Sequence, residues 1–125
     1  MGSGISQLFA QSGIHVTVID SDDYAQKCVV RIRKTLQTLS EDKFPNEPRA
    51  AAKFINDVFN CLETTQSWEK GMKDADLVIE AVIESLAVKQ DLFRKIDKLA
   101  PAHAILTSNT SSLSIEELSE VRVLI

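Results

Sequence analysis

MGSGISQLFAQSGIHVTVID, residues 1–20, decides how the rest of the chain is read. Gly2 and Gly4 open a stretch of helical character, Ser12-Gly13 closes it, and His15-Val16-Thr17-Val18-Ile19 is strand-like and ends in Asp20. Ile5, Leu8 and Phe9 recur at helical spacing and are expected to form the stripe that faces a sheet.

A glycine turn, a helix, a glycine stop and a strand ending in an acid form the second half of a Rossmann-type βαβ crossover. There the helix N-terminus receives a pyrophosphate, and the acid accepts hydrogen bonds from the adenosine ribose. The strand that should feed the glycine turn is missing from this sequence, because only Met1 precedes Gly2. Gly2 is therefore read as the third glycine of the fingerprint, the one that lets the helix lie close to the sheet. Taken alone, the stretch is read equally well as a capped amphipathic helix and a strand with no nucleotide.

Outward from there, Ser21-Asp22-Asp23 signals a helix start, and Val29, Ile32, Leu36 and Leu39 carry one apolar side of a long helix. Pro45 and Pro48 interrupt it, and a second helix is expected from about Arg49 to Asn60 on Ala52, Ile55, Val58 and Phe59. An ordinary crossover has one helix, so this hairpin, about residues 23–60, is expected to stand off the core. Cys61 to Thr65 is a short strand and Ser67 to Met72 a helical turn, with Trp68 a packing residue. Leu77 to Val82 is a near-continuous apolar run of the kind buried on both faces of a parallel sheet. A helix then runs through Leu86, Val88, Leu92, Phe93, Ile96 and Leu99 until Pro101 stops it. Ala104 to Thr107 is another strand, Ile115 to Leu118 a short helix, and Val121 to Ile125 a last strand-like run. The fold class is α/β: an incomplete Rossmann-type parallel sheet lacking its first strand, with an inserted helical hairpin. Residues 1–125 form one partial dinucleotide-binding domain. Its unpaired central edges are expected to make it marginally stable.

Composition narrows the function. The chain has 125 residues, 44% apolar and 26% charged, with a net charge of -4 and no dense basic run. Nucleic acid is not expected as a partner, because phosphate backbones need a concentrated basic face. No apolar run reaches membrane-spanning length, and no leader pattern opens the sequence. Cys28 and Cys61 are expected to be structural thiols. No metal site is expected.

Ligands of open parallel sheets bind at the carboxyl ends of the strands, which here hold Asp20, Glu80 to Glu84, and Ser108 to Ser112. Five consecutive hydrogen-bonding side chains after a buried strand exceed what a turn requires. DLVIEAVIESLAVKQDLF (residues 76–93) followed by SNTSSLSI (108–115), together with the KFPNEP turn (43–48), resembles the cofactor domain of the NAD-dependent L-3-hydroxyacyl-CoA dehydrogenases of fatty-acid β-oxidation, of the mitochondrial short-chain type. The resemblance runs from Met1 to about Leu118.

It implies that Asp20 holds the adenosine ribose and favours NAD over NADP. It also implies that Glu84 and Lys89 contact the cofactor, and that Ser111, with Asn109 in the same loop, lies near the nicotinamide and the substrate 3-hydroxyl. Thr35 matches a hairpin serine that touches coenzyme A; the family's hairpin lysine falls on or beside Asp42, with Lys43 next. The resemblance further implies an acyl-CoA substrate, a mitochondrial matrix location and a homodimer formed through a helical domain not included here. The family's catalytic histidine, in an H-F-F-N-P segment beyond the SNTSSL loop, is also not reached. His15 and His103 lie at the wrong strand ends to replace it, so this chain is not expected to turn over alone. Independent structural readings stay open: Asp20 as a helix cap, Glu84 and Lys89 as a surface pair, Ser111 and Ser112 as loop or capping residues. The functional alternatives are a non-catalytic binding or interaction protein that retains the fold, and a truncated product with no role of its own.

Overall fold

A computed structural model describes residues 1–120. Helices and short parallel strands alternate along it, in two compact units, Met1–Ser67 and Trp68 onward. The strand-like run Val121 to Ile125 lies outside the described residues.

The first unit comprises α1 (Gly2–Gln11), β1 (Val16–Ile19), α2 (Asp22–Lys43), α3 (Pro48–Asn60) and β2 (Leu62–Thr65). Gly13 stops α1 in the left-handed region, at φ 77°. Its N–H donates to the Ala10 carbonyl while the Ile14 N–H reaches back to Phe9, so two of the carbonyls left over at the helix end are satisfied. The chain turns directly into β1, which pairs in parallel with β2, Val16 opposite Leu62 and Ile19 opposite Thr65. Asp22 and Asp23 place negative charge at the positive end of α2. Asn46, at φ 64°, makes the hairpin turn, and Pro48 opens α3, where its missing N–H has no helical partner to lose.

Two expectations change here. The buried face of α1 is Ser6, Gln7 and Ala10 rather than the Ile5-Leu8-Phe9 stripe, and Leu8 is 66% exposed. Ala10 joins Ile32, Leu36 and Val58 in the core, and Gln7 satisfies its buried amide by donating to Gln11. The hairpin does not stand off the core either. Ile32, Leu36 and Val58 form the core with Ala10, and Phe54, Ile55, Phe59, Val16 and Leu62 pack around them. Along α2 the last buried position is Ser40, its hydroxyl donating to the Gln37 carbonyl, and Leu39 faces out; on α3 Ala52 is exposed. Cys28 and Cys61 are free thiols packed against this core, and burial raises the Cys28 pKa.

The second unit holds α4 (Trp68–Met72), β3 (Leu77–Glu80), α5 (Leu86–Leu99), β4 (Ile105–Ser108) and α6 (Ile115–Ser119). Trp68 packs under α5, with the Lys95 ammonium 4.2 Å above its ring. Ala100 is extended, as a residue before proline must be, and this ends α5 at Pro101. Ser114 caps α6 by accepting the Glu117 N–H. β3 and β4 pair in parallel, Leu77 opposite Ile105 and Glu80 opposite Ser108.

β3 is shorter than its apolar run and is not buried on both faces. Val78 and Glu80 are buried while Leu77 is 40% and Ile105 62% exposed. The described strands pair as two two-stranded sheets, β1 with β2 and β3 with β4, and an alternation of buried and less buried residues shows on β3 alone. Among the described residues no helix is long and apolar enough to cross a membrane.

Candidate cofactor site

Two places in the first unit follow from its local structure. At the start of α1 the Gly4 N–H already donates to the Met1 carbonyl at 3.0 Å, whereas the amides of Gly2 and Ser3 have no helical carbonyl before them, Met1 gives no side-chain cap, and the first turn carries no acidic side chain. Gly2 is the first helical residue, and adding a Cβ at Gly4 would meet nothing within 4 Å. At the carboxyl end of β1, the Asp20 N–H donates to the Thr65 carbonyl, and its carboxylate accepts the Ser21 N–H at 2.7 Å. The Asp20 side chain is exposed, with one oxygen committed to the start of α2.

In the second unit the strand register builds an ion network. Val78 and Glu80 share the covered face of β3, so Glu80 is the polar member of a buried pair and needs a partner there. Lys89, in the first turns of α5, supplies it: its ammonium lies 2.8 and 3.1 Å from the two Glu80 oxygens, and both side chains are wholly buried. Glu80 also accepts the Val82 N–H at 2.6 Å and the hydroxyl of Ser108, its register partner on β4. The Val82 bond turns the chain after Glu80 and closes β3 there.

Glu84 is the outer member, 39% exposed, with Oε2 at 3.3 Å from Lys89. Its Oε1 accepts the hydroxyls of Thr110 and of Ser112, the latter at 3.2 Å. Those bonds lower the Glu84 pKa, the Thr110 hydroxyl contributing most, with Lys89 and Ser112 adding to it against some desolvation. For Lys89, burial is the largest single influence and acts downward. The hydrogen bonds and charges of Glu80 and Glu84 together outweigh it and raise the pKa. The pair is therefore no surface ion pair. Among the described residues no cluster of His, Cys, Asp and Glu is placed to hold a metal ion.

The sequence family described as 3-hydroxyacyl-CoA dehydrogenase, NAD binding domain, matches residues 1–123. The chain belongs to this family. The mitochondrial hydroxyacyl-coenzyme A dehydrogenase of Mus musculus is 36% identical over 120 residues, covering 95% of this chain and 38% of that protein. The 3-hydroxybutyryl-CoA dehydrogenase of Clostridioides difficile is 36% identical over 121 residues, covering 95% and 41%. The solved (S)-3-hydroxybutyryl-CoA dehydrogenase of Ralstonia eutropha superposes with a TM-score of 0.87 at 31% identity, over 98% of this chain and 41% of that one. The chain thus spans about two fifths of the length of these relatives.

Within this dehydrogenase domain the other expected residues are placed as follows. Asn109 donates its backbone N–H to the Glu80 carbonyl at 2.8 Å, which ties the loop to the end of β3. Ser111 is exposed, flanked by the two residues that bond Glu84. Thr35 is exposed on α2, its hydroxyl donating to the Arg31 carbonyl at 3.1 Å. Lys43 ends α2 with its ammonium 5.1 Å from the Phe54 ring and 5.7 Å from that of Phe44. His15 and His103 are exposed beside Glu63 and Asp76, respectively. The sequence placed Glu80, Ser108, Thr110 and Ser112 within the candidate strand-end loops but gave none of them a cofactor or catalytic role. The available signal was a glutamate at the buried parity of an apolar strand with a lysine nine residues on.

Proposed function

We propose that this chain is the NAD-binding module of a 3-hydroxyacyl-CoA dehydrogenase, with Asp20 as the ribose ligand. The observation that carries the reading is the pairing, within the first unit, of an uncapped α1 start free of acidic side chains with an exposed carboxylate at the end of β1. Amide donors there suit a pyrophosphate, and a carboxylate acceptor suits the two ribose hydroxyls of NAD. The residues present therefore fit the cofactor.

NAD, when bound, supplies the acceptor for the hydride that leaves C3 of a 3-hydroxyacyl-CoA as it becomes the 3-ketoacyl-CoA. This chain's part is to bind and orient. Asp20 anchors the adenosine end, and the Ser111 hydroxyl is offered to the nicotinamide and 3-hydroxyl, with Asn109 holding the loop. Thr35 and Lys43 are the candidate coenzyme A contacts on the hairpin. For Lys43, a phosphate must compete with two aromatic faces for the ammonium. Mitochondrial work in fatty-acid β-oxidation and assembly as a homodimer complete the proposal. The mitochondrial relatives support the location.

Fluorescence titration with NADH and NADPH tests it. NADH is expected to bind at least about tenfold more tightly, since the 2′-phosphate of NADPH meets the Asp20 carboxylate at close range. Asp20→Ser is expected to weaken NADH about tenfold or more, the loss of a charge-assisted hydrogen bond, and to erase the preference. Equal affinities in both proteins, or no binding of either nucleotide, would overturn the assignment.

A further inference from the structure

Between Ser108, the last residue of β4, and Ser112 the chain carries four hydroxyls, and their engagement is uneven. Ser108 donates to Glu80, while Thr110 and Ser112 both donate to Glu84. Ser111 is exposed, and among the described residues nothing hydrogen-bonds its hydroxyl. The Thr110 oxygen also accepts the Leu113 N–H at 3.1 Å, so the same side chain fixes the backbone on the far side of Ser111.

Glu84 is itself held. Its Oε2 faces Lys89, whose ammonium is locked between Glu80 and Glu84 in a buried pair. Both oxygens of Glu84 thus serve the protein before any ligand arrives. A carboxylate has about four acceptor positions, and three are engaged here by Thr110, Ser112 and Lys89.

We propose that Glu84 is a positioning residue, which staples the loop through Thr110 and Ser112 and thereby presents the Ser111 hydroxyl as the one left for ligand. The role of Ser111 rests on the reading given above; the staple does not. Loop and helix start are joined by charge-assisted hydrogen bonds at the rim of the unit, where Glu84 is partly open to water. Lys89 is the one charged group that directly contacts Glu84 among the described residues, with Glu80 behind it; Thr110 and Ser112 face it from the loop and do not titrate.

The test compares the wild-type chain with the double variant Thr110→Val/Ser112→Ala, with Glu84→Gln, and with Ser111→Ala as control. All of these positions are solvent-accessible, so the core is untouched. Without ligand, amide exchange at Leu113 and its neighbours in the loop is expected to quicken about fivefold to tenfold in the double variant, the loss of about one hydrogen bond at Leu113. It should also rise in Glu84→Gln and stay unchanged in Ser111→Ala. The Glu84 carboxyl, followed by carbon NMR, should titrate below the ordinary glutamate range in the wild type and move upward in the double variant, a response that a packing role alone would not give. NADH affinity should fall in the double variant and in Glu84→Gln together with the loosened loop. Unchanged exchange in both variants would overturn the staple, and a loosened loop with unchanged NADH affinity would overturn its positioning role. Failure of the wild type to bind NADH would instead remove the functional reading, while the exchange and titration results would still decide the staple.

Discussion

Replacing Lys89 with methionine should cost the second unit about 3–5 kcal/mol, because it leaves the Glu80 carboxylate buried without its cation. Both side chains are fully enclosed, and Glu80 would keep only the Val82 N–H and the Ser108 hydroxyl. Domain stabilities are about 5–15 kcal/mol, so the variant is expected to approach unfolding at room temperature. Trp68 is the chain's single tryptophan and lies in this unit, so urea unfolding followed by its fluorescence reads the effect directly. The double change Glu80→Gln/Lys89→Met should recover most of the loss. Glutamine keeps an acceptor for Val82 and Ser108, and removing both charges of a buried pair is often close to neutral. A single-variant loss under about 1 kcal/mol, the level of an exposed pair, would contradict the burial described.

The same pair sets a pH dependence. Lys89 has its pKa raised in the folded chain, so its contribution is complete below the unfolded value of about 10.4 and is lost as pH rises through the folded value. Wild-type stability should therefore decline on the alkaline side above about pH 10.4. The component due to Lys89 should be missing from Lys89→Met.

The second large effect is expected at Leu36. It is wholly buried among Ile32, Ala10 and Val58, and Leu36→Ala should cost about 2–5 kcal/mol, combining lost transfer energy with a cavity the neighbours only partly fill. Leu39, one turn on and 39% exposed, should change stability by no more than about 0.5 kcal/mol when made alanine. Thermal unfolding followed by helical circular dichroism compares the two. Equal costs would mean that the hairpin packs through a different face.

That contrast shows how far the sequence could be read. Helix ends were legible because their causes are local: Gly13 takes a positive φ, Pro48 tolerates a first helical position, and Pro101 forces Ala100 out of the helix. The α/β class was legible because apolar runs and helical periodicity alternate along the chain. Which face of a helix is buried depends on partners distant in sequence. Leu8 was expected inside and lies outside, since α1 buries the side that carries Ser6, Gln7 and Ala10, with Ala10 in the core shared with the hairpin. Glu80 was placed at a strand end but given no role of its own, because the spacing to Lys89 alone does not say that the two side chains meet. Only the pairing of β3 with β4 and the first turns of α5 bring Ser108 and Lys89 to it. Asp20 was marked by the crossover pattern and Glu84, Lys89 and Ser111 by the family resemblance, while the bonds from Thr110 and Ser112 to Glu84 became visible only in three dimensions.

The central claim is that the start of α1 and Asp20 form a dinucleotide site. It is tested most directly by titrating NADH into the nitrogen-15-labelled chain and following its amide signals. The account predicts saturable shifts at Ser3, Gly4, Asp20 and Ser21, the amides at the first turn of α1 and the end of β1. No saturable shift, or shifts that leave these four amides unmoved, would contradict it.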